Sequence, residues 1–264
     1  MLPPGKLLRG FRKLPAVNSG SAWQELGSLE PYFAVLTNPD FLLANVTAER
    51  LQEFFASGER EVEDLLRGAR SLFDFDVPFG RALDFGCGVG RLTIPLARRA
   101  RHVLAVDAAD SMRTRARTHC ESARVDNVEF LTSKDFYSVP RSSIHLACAH
   151  LVLQHIPPSS GNRILRHLLS LVAPGGLCSV DVTFYRSGTR SRGVGRWFRA
   201  RSRIVHAAVS MMRGTPRLPY MQMNTYDLGF VLRAFSCHGF SRSIVTVSSD
   251  GPLLSARIVS QRAR

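Results

Sequence analysis

Several things are scarce in this 264-residue chain, and each scarcity narrows what it can be. No apolar run reaches the roughly 18 residues that a membrane-spanning helix needs, which sets aside a helical transmembrane segment. The five cysteines are odd in number and form no Cys-x-x-Cys pair. Neither a disulfide framework nor a thiolate zinc site is indicated, and a reducing cytoplasm is the expected setting. Lysine is nearly absent. Lys6, Lys13 and Lys134 are the only three, so arginine carries most of the formal net charge of +14. Acids are missing from residues 1–20 and again from 182–226. Such a balance suits an anionic partner (substrate, nucleic acid or membrane surface), although codon composition can produce the same arginine bias.

What is present is ordinary for a globular protein: 45% hydrophobic and 21% charged residues. The length suits one large domain, or one with a small accessory part, able to bury a real core. Residues 1–20 hold Lys6, Arg9, Arg12 and Lys13 among three prolines. They lack the apolar core of a secretory signal and are expected to be a flexible basic arm, a targeting segment being the alternative. From Trp23 to Phe73 the apolar spacing is helical. Thr47 is a candidate N-cap, Leu51, Phe54 and Phe55 form one apolar face, and Val62, Leu65 and Leu66 form another after Gly58.

The stretch Arg81 to Arg91 organises the rest. Arg81–Phe85 reads as a short strand ending near Asp84, residues 86–90 as a turn with glycine at 86, 88 and 90, and Leu92–Arg99 as a helix. Strand, glycine turn and helix together bring bare backbone N–H groups up to a ligand. A dinucleotide site would want Gly-x-Gly-x-x-Gly, but the last place holds Arg91, and an acid before the turn would repel a pyrophosphate. Asp84-x-Gly86-x-Gly88-x-Gly90 instead resembles motif I of the class I S-adenosylmethionine-dependent methyltransferases. Their cofactor is cationic at sulfur and has no phosphate, so an acid is welcome there.

Further matches to that family follow in order. His102–Val106 reads as a second strand, and Asp107 follows it at the distance where such folds place a ribose-binding acid, with Ala108 beside it. Asn127–Leu131 is a third strand. Asp135 and Phe136 after it match the acid and apolar residue that cup the adenine, although Lys134 departs from the family's small residue. Ser143–Ala149 is a fourth strand, with His145 where the family commonly has aspartate. His150-Leu-Val-Leu-Gln-His155-Ile-Pro-Pro resembles the post-strand segment of the small-molecule branch. A helix over Asn162–Val172, a closing Ala173-Pro-Gly-Gly and a fifth strand over Leu177–Phe184 continue the match. A helix over Tyr226–His238 and strands near Ile244–Val247 and Ser255–Val259 complete the expected elements.

The resemblance implies an α/β fold, a Rossmann-like seven-stranded, mostly parallel sheet flanked by helices. It would carry an N-terminal arm and helical cap over residues 1–75, a methyltransferase domain over 76–264 and an arginine-rich insert at about 185–224. It implies S-adenosyl-L-methionine as cofactor, S-adenosyl-L-homocysteine as product and no metal. The implied cofactor-binding residues are Asp84, Gly86, Cys87, Gly88, Asp107, Ala108, Asp135, Phe136 and His150. His150 and His155 are the candidate bases; His150 can instead be a pocket wall, and His155 a packing residue beneath the cofactor. Tyr32 is a candidate substrate-stacking residue or a core aromatic. In the insert, Trp197 with Arg196 and Arg199 either covers an anionic acceptor or lies on a solvated face.

The acceptor is narrowed by what is missing. The place where adenine and guanine N-methylating enzymes carry Asn- or Asp-Pro-Pro-aromatic holds His150-Leu-Val. No cysteine follows proline, as a cytosine C5 enzyme requires. The segment His145–Ile156 has no acid, so no cluster of metal ligands is expected near the mouth. A small-molecule acceptor, anionic or carrier-bound, methylated at oxygen or nitrogen, fits best. An RNA methyltransferase and a catalytically inactive cofactor-binding partner protein are the alternatives.

Overall fold

The computed structural model describes residues 19–73, 75–76, 79–187, 218–219 and 221–264. The expected basic arm, and Arg196, Trp197 and Arg199 in the insert, lie outside the described residues.

Seven strands form one sheet in the order β3-β2-β1-β4-β5-β7-β6. They are β1 (Phe79–Phe85), β2 (Ala100–Val106), β3 (Val128–Leu131), β4 (Ile144–Ala149), β5 (Val172–Arg186), β6 (Phe240–Asp250) and β7 (Leu253–Arg262). The first five are parallel, and β7 runs antiparallel to both β5 and β6. Strand order therefore reverses between β1 and β4. In an open α/β sheet the crevice outside the carboxyl ends of such a pair is where ligands bind. The register aligns those ends, with Asp84 beside Ala105 on one side and Cys148 on the other.

Among the described residues the helices are α1 (Ser19–Leu29), α2 (Pro31–Val35), α3 (Ala48–Phe73), α4 (Thr93–Ala97), α5 (Asp110–Ser122), α6 (Pro158–Leu171) and α7 (Leu228–Cys237). One sheet face is covered by Leu165, Leu168 and Leu169 of α6 with Val231 and Phe235 of α7. The opposite face is covered by Val62, Leu65, Leu66, Ala69 and Phe73 of α3 with Leu96 of α4. A third cluster, including Leu26, Tyr32, Phe41 and Phe54, joins the N-terminal helices to Val89 and Met112 at the pocket end. Each such large apolar side chain stabilises the fold by about 1.5–3 kcal/mol when fully buried.

Local boundaries depart from expectation where packing intervenes. Gly58 does not divide the N-terminal helices, because α3 runs unbroken for 26 residues. Its glycine is there for contact: a Cβ would sit 2.1 Å from the Arg91 carbonyl oxygen. Thr47 does cap α3, its Oγ1 accepting from Arg50 N at 3.3 Å. The Pro-Gly-Gly sequence is a bulge inside β5 and not a turn before it. Pairing jumps from Ile144–Val172 to Leu146–Leu177, with Gly175 at φ +76°.

Candidate functional site

The glycine turn is the floor of the site. Gly86 N and Cys87 N both donate to Val106 O, at 2.8 and 3.0 Å, which ties the turn to the end of β2. Gly86, Gly88 and Gly90 have φ of +79°, +54° and +92°, a region that side chains with a Cβ rarely adopt. Space demands glycine as well. A Cβ at Gly86 would lie 2.4 Å from Val152 Cγ2, and one at Gly88 would lie 2.7 Å from Val35 Cγ2.

Two acids flank this turn in different environments. Asp84 is buried at the end of β1, its Oδ2 accepting from Thr93 Oγ1 at 2.6 Å. Burial pushes its carboxyl up to about 6, against the pull of the Thr93 hydrogen bond and of His150 and Arg91. Asp107 is half-buried, with Oδ2 accepting from Gly88 N at 3.0 Å and Oδ1 from Ala109 N at 2.8 Å. Its carboxyl is also raised by burial, although these backbone donors work in the opposite direction. Two donors leave a carboxylate further lone pairs for a diol.

These groups meet in a cavity of about 250 Å³. Of the residues singled out from sequence, Asp84, Gly86, Cys87, Gly88, Asp107, Ala108, Phe136, His150 and His155 line it. Two others do not. Asp135 is exposed, and its Oδ2 accepts from Thr132 N at 3.0 Å and Thr132 Oγ1 at 2.7 Å, so its carboxylate caps a local turn. Tyr32 points into the cap cluster, edge-on to Phe54, with its hydroxyl 3.1 Å from His119 Nε2. The wall also includes Trp23, Val35, Tyr137, Leu151 and Val152, none of which sequence reasoning assigned to the site. Trp23 stands edge-on to His155 with ring centroids 4.8 Å apart. Leu151 holds φ +58°, a strained value for a non-glycine residue that carries no marker in the sequence.

Of the two roles expected for each histidine, the geometry favours the one other than base. His150 has both ring nitrogens engaged: Nδ1 donates to Glu61 Oε1 at 2.8 Å, and Nε2 lies 2.7 Å from Ser179 Oγ. A ring held at both ends is a wall, and no nitrogen remains to take a proton from an acceptor. His155 Nδ1 donates to Gln222 O at 2.7 Å, so Nε2 carries the lone pair of its neutral ring and faces Gln154 Nε2 at 3.5 Å. Burial lowers its pKa to about 4, against the raising effect of that carbonyl. It is uncharged at neutral pH and only a weak base.

Behind His150 lies a cluster that sequence reasoning did not expect near the mouth. Ligand atoms of Glu61, His150 and Asp181 all lie within 4.8 Å of one another, close enough to hold a metal. Arginine already occupies the centre. Arg257 Nη2 is 2.5 Å from Glu61 Oε1 and 2.8 Å from Asp181 Oδ2, while Arg91 Nη2 is 2.6 Å from Glu61 Oε2. Burial works against the Glu61 charge, but the His150 hydrogen bond and the electrostatic pull of His150, Arg91 and Arg257 hold its carboxyl well below the usual range. Two carboxylates matched by two guanidiniums leave a divalent ion nothing to neutralise, so this set does not fit a metal.

The same site fits S-adenosylmethionine on two independent observations. The turn at Gly86 and Gly88 is a cradle that a Cβ would fill. Arg91, which lines the cavity, also has a buried Nε with no partner, suited to a carboxylate.

Residues 82–176 match a sequence family described as a methyltransferase domain. The chain's fold is that of the class I S-adenosylmethionine-dependent methyltransferases. Magnesium protoporphyrin IX methyltransferase from Synechocystis PCC 6803, solved with bound S-adenosylmethionine, shares its fold. The TM-score is 0.57 at 14% identity, over 94% of this chain and 99% of that one. Phosphoethanolamine N-methyltransferase 2 of Haemonchus contortus also superposes at TM-score 0.57, with 13% identity over 76% of this chain and 53% of that one. By sequence, the 23S rRNA (uracil(1939)-C(5))-methyltransferase of Burkholderia thailandensis is 29% identical over 96 residues. That match spans 36% of this chain and only 21% of the relative's length.

Proposed function

We propose that the protein transfers a methyl group from S-adenosylmethionine to an oxygen or nitrogen of a small, anionic acceptor. The observation that carries this is the meeting of Asp84, Asp107 and the glycine turn in one cavity walled by Trp23, Phe136 and Tyr137. When bound, the cofactor supplies a methyl already activated by a sulfonium. Asp107 accepts from ribose hydroxyls, ionised Asp84 balances the cofactor's positive charge, and Arg91 Nε donates to its carboxylate. Phe136 and Ala108 pack against the adenine. His155, too weak to take a proton outright and with Nε2 facing Gln154 Nε2, serves as a wall of the acceptor's pocket. Holding nucleophile and methyl in line is then the main catalytic contribution, which suits a site without a strong base.

A small acceptor is favoured by the largely apolar wall of the cavity and by the acceptors in the names of the superposable proteins, a metalloporphyrin and phosphoethanolamine. The net charge of +14 favours an anionic one. Calorimetry with S-adenosylmethionine tests the first half: binding with micromolar affinity is expected, and its absence refutes the proposal. Mass spectrometry on a panel of anionic acceptors then seeks the added methyl.

RNA is the second reading, favoured by the similarity to rRNA methyltransferases. Its pyrimidine C5 version is opposed by the cysteines, since that chemistry uses a thiolate nucleophile. Cys87 is the cysteine lining the cavity, and burial, followed by the charges of Asp107 and Asp84, pushes its thiol well up. Cys237 is exposed but closes α7, outside the cavity lining. RNA affinity falling steeply with salt, together with methylated RNA, would move the assignment to nucleic acid.

A further inference from the structure

The sheet has two edges, and they are built differently. β3 is four residues long and carries the exposed Glu129, two of the usual protections against edge-to-edge pairing. β6 is eleven residues long, and between Arg242 and Asp250 it has no charge, no proline and no break in its register with β7. Among the described residues, no strand neighbours its outer side. Val245 and Val247 share one face and are 39% and 56% exposed, more than core-facing valines tolerate without a reason. Leu72, at the end of α3 beside this edge, is 47% exposed.

We propose that β6 is a homodimer interface, in which two copies pair their β6 strands antiparallel about a two-fold axis through Thr246. The strand is self-complementary about that residue. The axis sets Val245 against Val247 of a second copy, twice, and sets Arg242 against the second copy's Asp250, twice. All four paired positions fall on matching faces, because partners equidistant from the axis keep the two-residue period of a strand. The same patch serves both copies, so the contact is isologous and closes after two subunits. Arg242 donates to Leu72 O and lies over the Phe73 ring, which anchors its guanidinium at the α3 side of the edge. Asp250 makes no ion pair with any described residue, leaving its carboxylate to the second copy. The outcome is one continuous sheet across both subunits, with the two cofactor cavities at a distance from the axis.

Sedimentation of the full chain across a concentration range tests this. The wild-type protein is expected to be a reversible dimer. Val247→Lys, at an exposed position, should raise the dimer dissociation constant about tenfold or more while circular dichroism is unchanged. Register is tested separately in a Cys237→Ser background. Thr246→Cys on the axis should cross-link to itself under mild oxidation, because directly opposed strand residues lie within disulfide reach, whereas Ser248→Cys should not. A wild-type protein that stays monomeric at its highest soluble concentration overturns the proposal. So does a dimer indifferent to Val247→Lys, or a Thr246→Cys variant that cross-links no faster than Ser248→Cys.

Discussion

The two halves of the cavity are made by different means. On the β1–β2 side the polar contacts are largely main-chain: Gly86 N and Cys87 N to Val106 O, Gly88 N and Ala109 N to Asp107. Strand register sets their positions, and the side chain that takes part in these contacts is that of Asp107. On the mouth side, Trp23 of α1, Val35 of α2, Tyr137 and Val152 arrive from four separate segments and meet through side chains alone. A half built from backbone holds a constant ligand; a half built from side chains can be revised for another acceptor without disturbing the sheet.

The hardest break of that comparison is Gly86→Val, which should abolish S-adenosylmethionine binding in calorimetry. Its φ is wrong for valine, and even the Cβ collides with Val152. Next is Asp107→Ala, expected to weaken cofactor binding by ~1–3 kcal/mol through lost charge-assisted hydrogen bonds. Trp23→Ala strikes the other half. It should raise the acceptor KM by about fivefold to tenfold, the worth of one aromatic contact, while cofactor affinity changes little.

Asp84 makes the comparison dependent on pH. With its carboxyl near 6, cofactor affinity should be full above that pH and fall as pH drops through it, because a cation is better held by the ionised form. Fold stability should run the opposite way. The folded state holds this proton more tightly than the unfolded one, so the contribution of Asp84 declines as pH rises from about 3.8 to about 6. Thr93→Val removes a hydrogen bond that lowers the Asp84 pKa and should move the affinity midpoint to higher pH, measurable by calorimetry at several pH values. The smallest expected effect is that of EDTA, which should leave turnover unchanged because Arg257 fills the space between Glu61 and Asp181. Loss of turnover in chelator, restored by magnesium, would contradict this.

The backbone half was legible in the sequence because its signals are local. Glycine spacing reports a turn, and an acid after a strand reports itself within a few residues. The same locality misled at Asp135, where Thr132 three residues earlier offers a nearer partner than any ligand. Base and wall stayed open for His150 because nothing near it in sequence announces Glu61, 89 residues away. Tyr32 and Trp23 are both aromatics of the N-terminal helices. Only helix packing decides that Trp23 faces the cavity and Tyr32 faces Phe54.

Glu61 carries a consequence for how the chain assembles. It is held by Arg91, His150 and Arg257, which follow it by 30, 89 and 196 residues. A helix synthesised early therefore waits for the last strand of the sheet before its buried carboxylate is fully matched. Until β7 arrives, α3 can rest on the sheet only with an under-compensated charge at its centre, a penalty that disfavours premature docking. The wall behind His150 is thus among the last parts to close. Completion of the pocket becomes a check that α3, the glycine turn, the end of β4 and β7 have all reached their places.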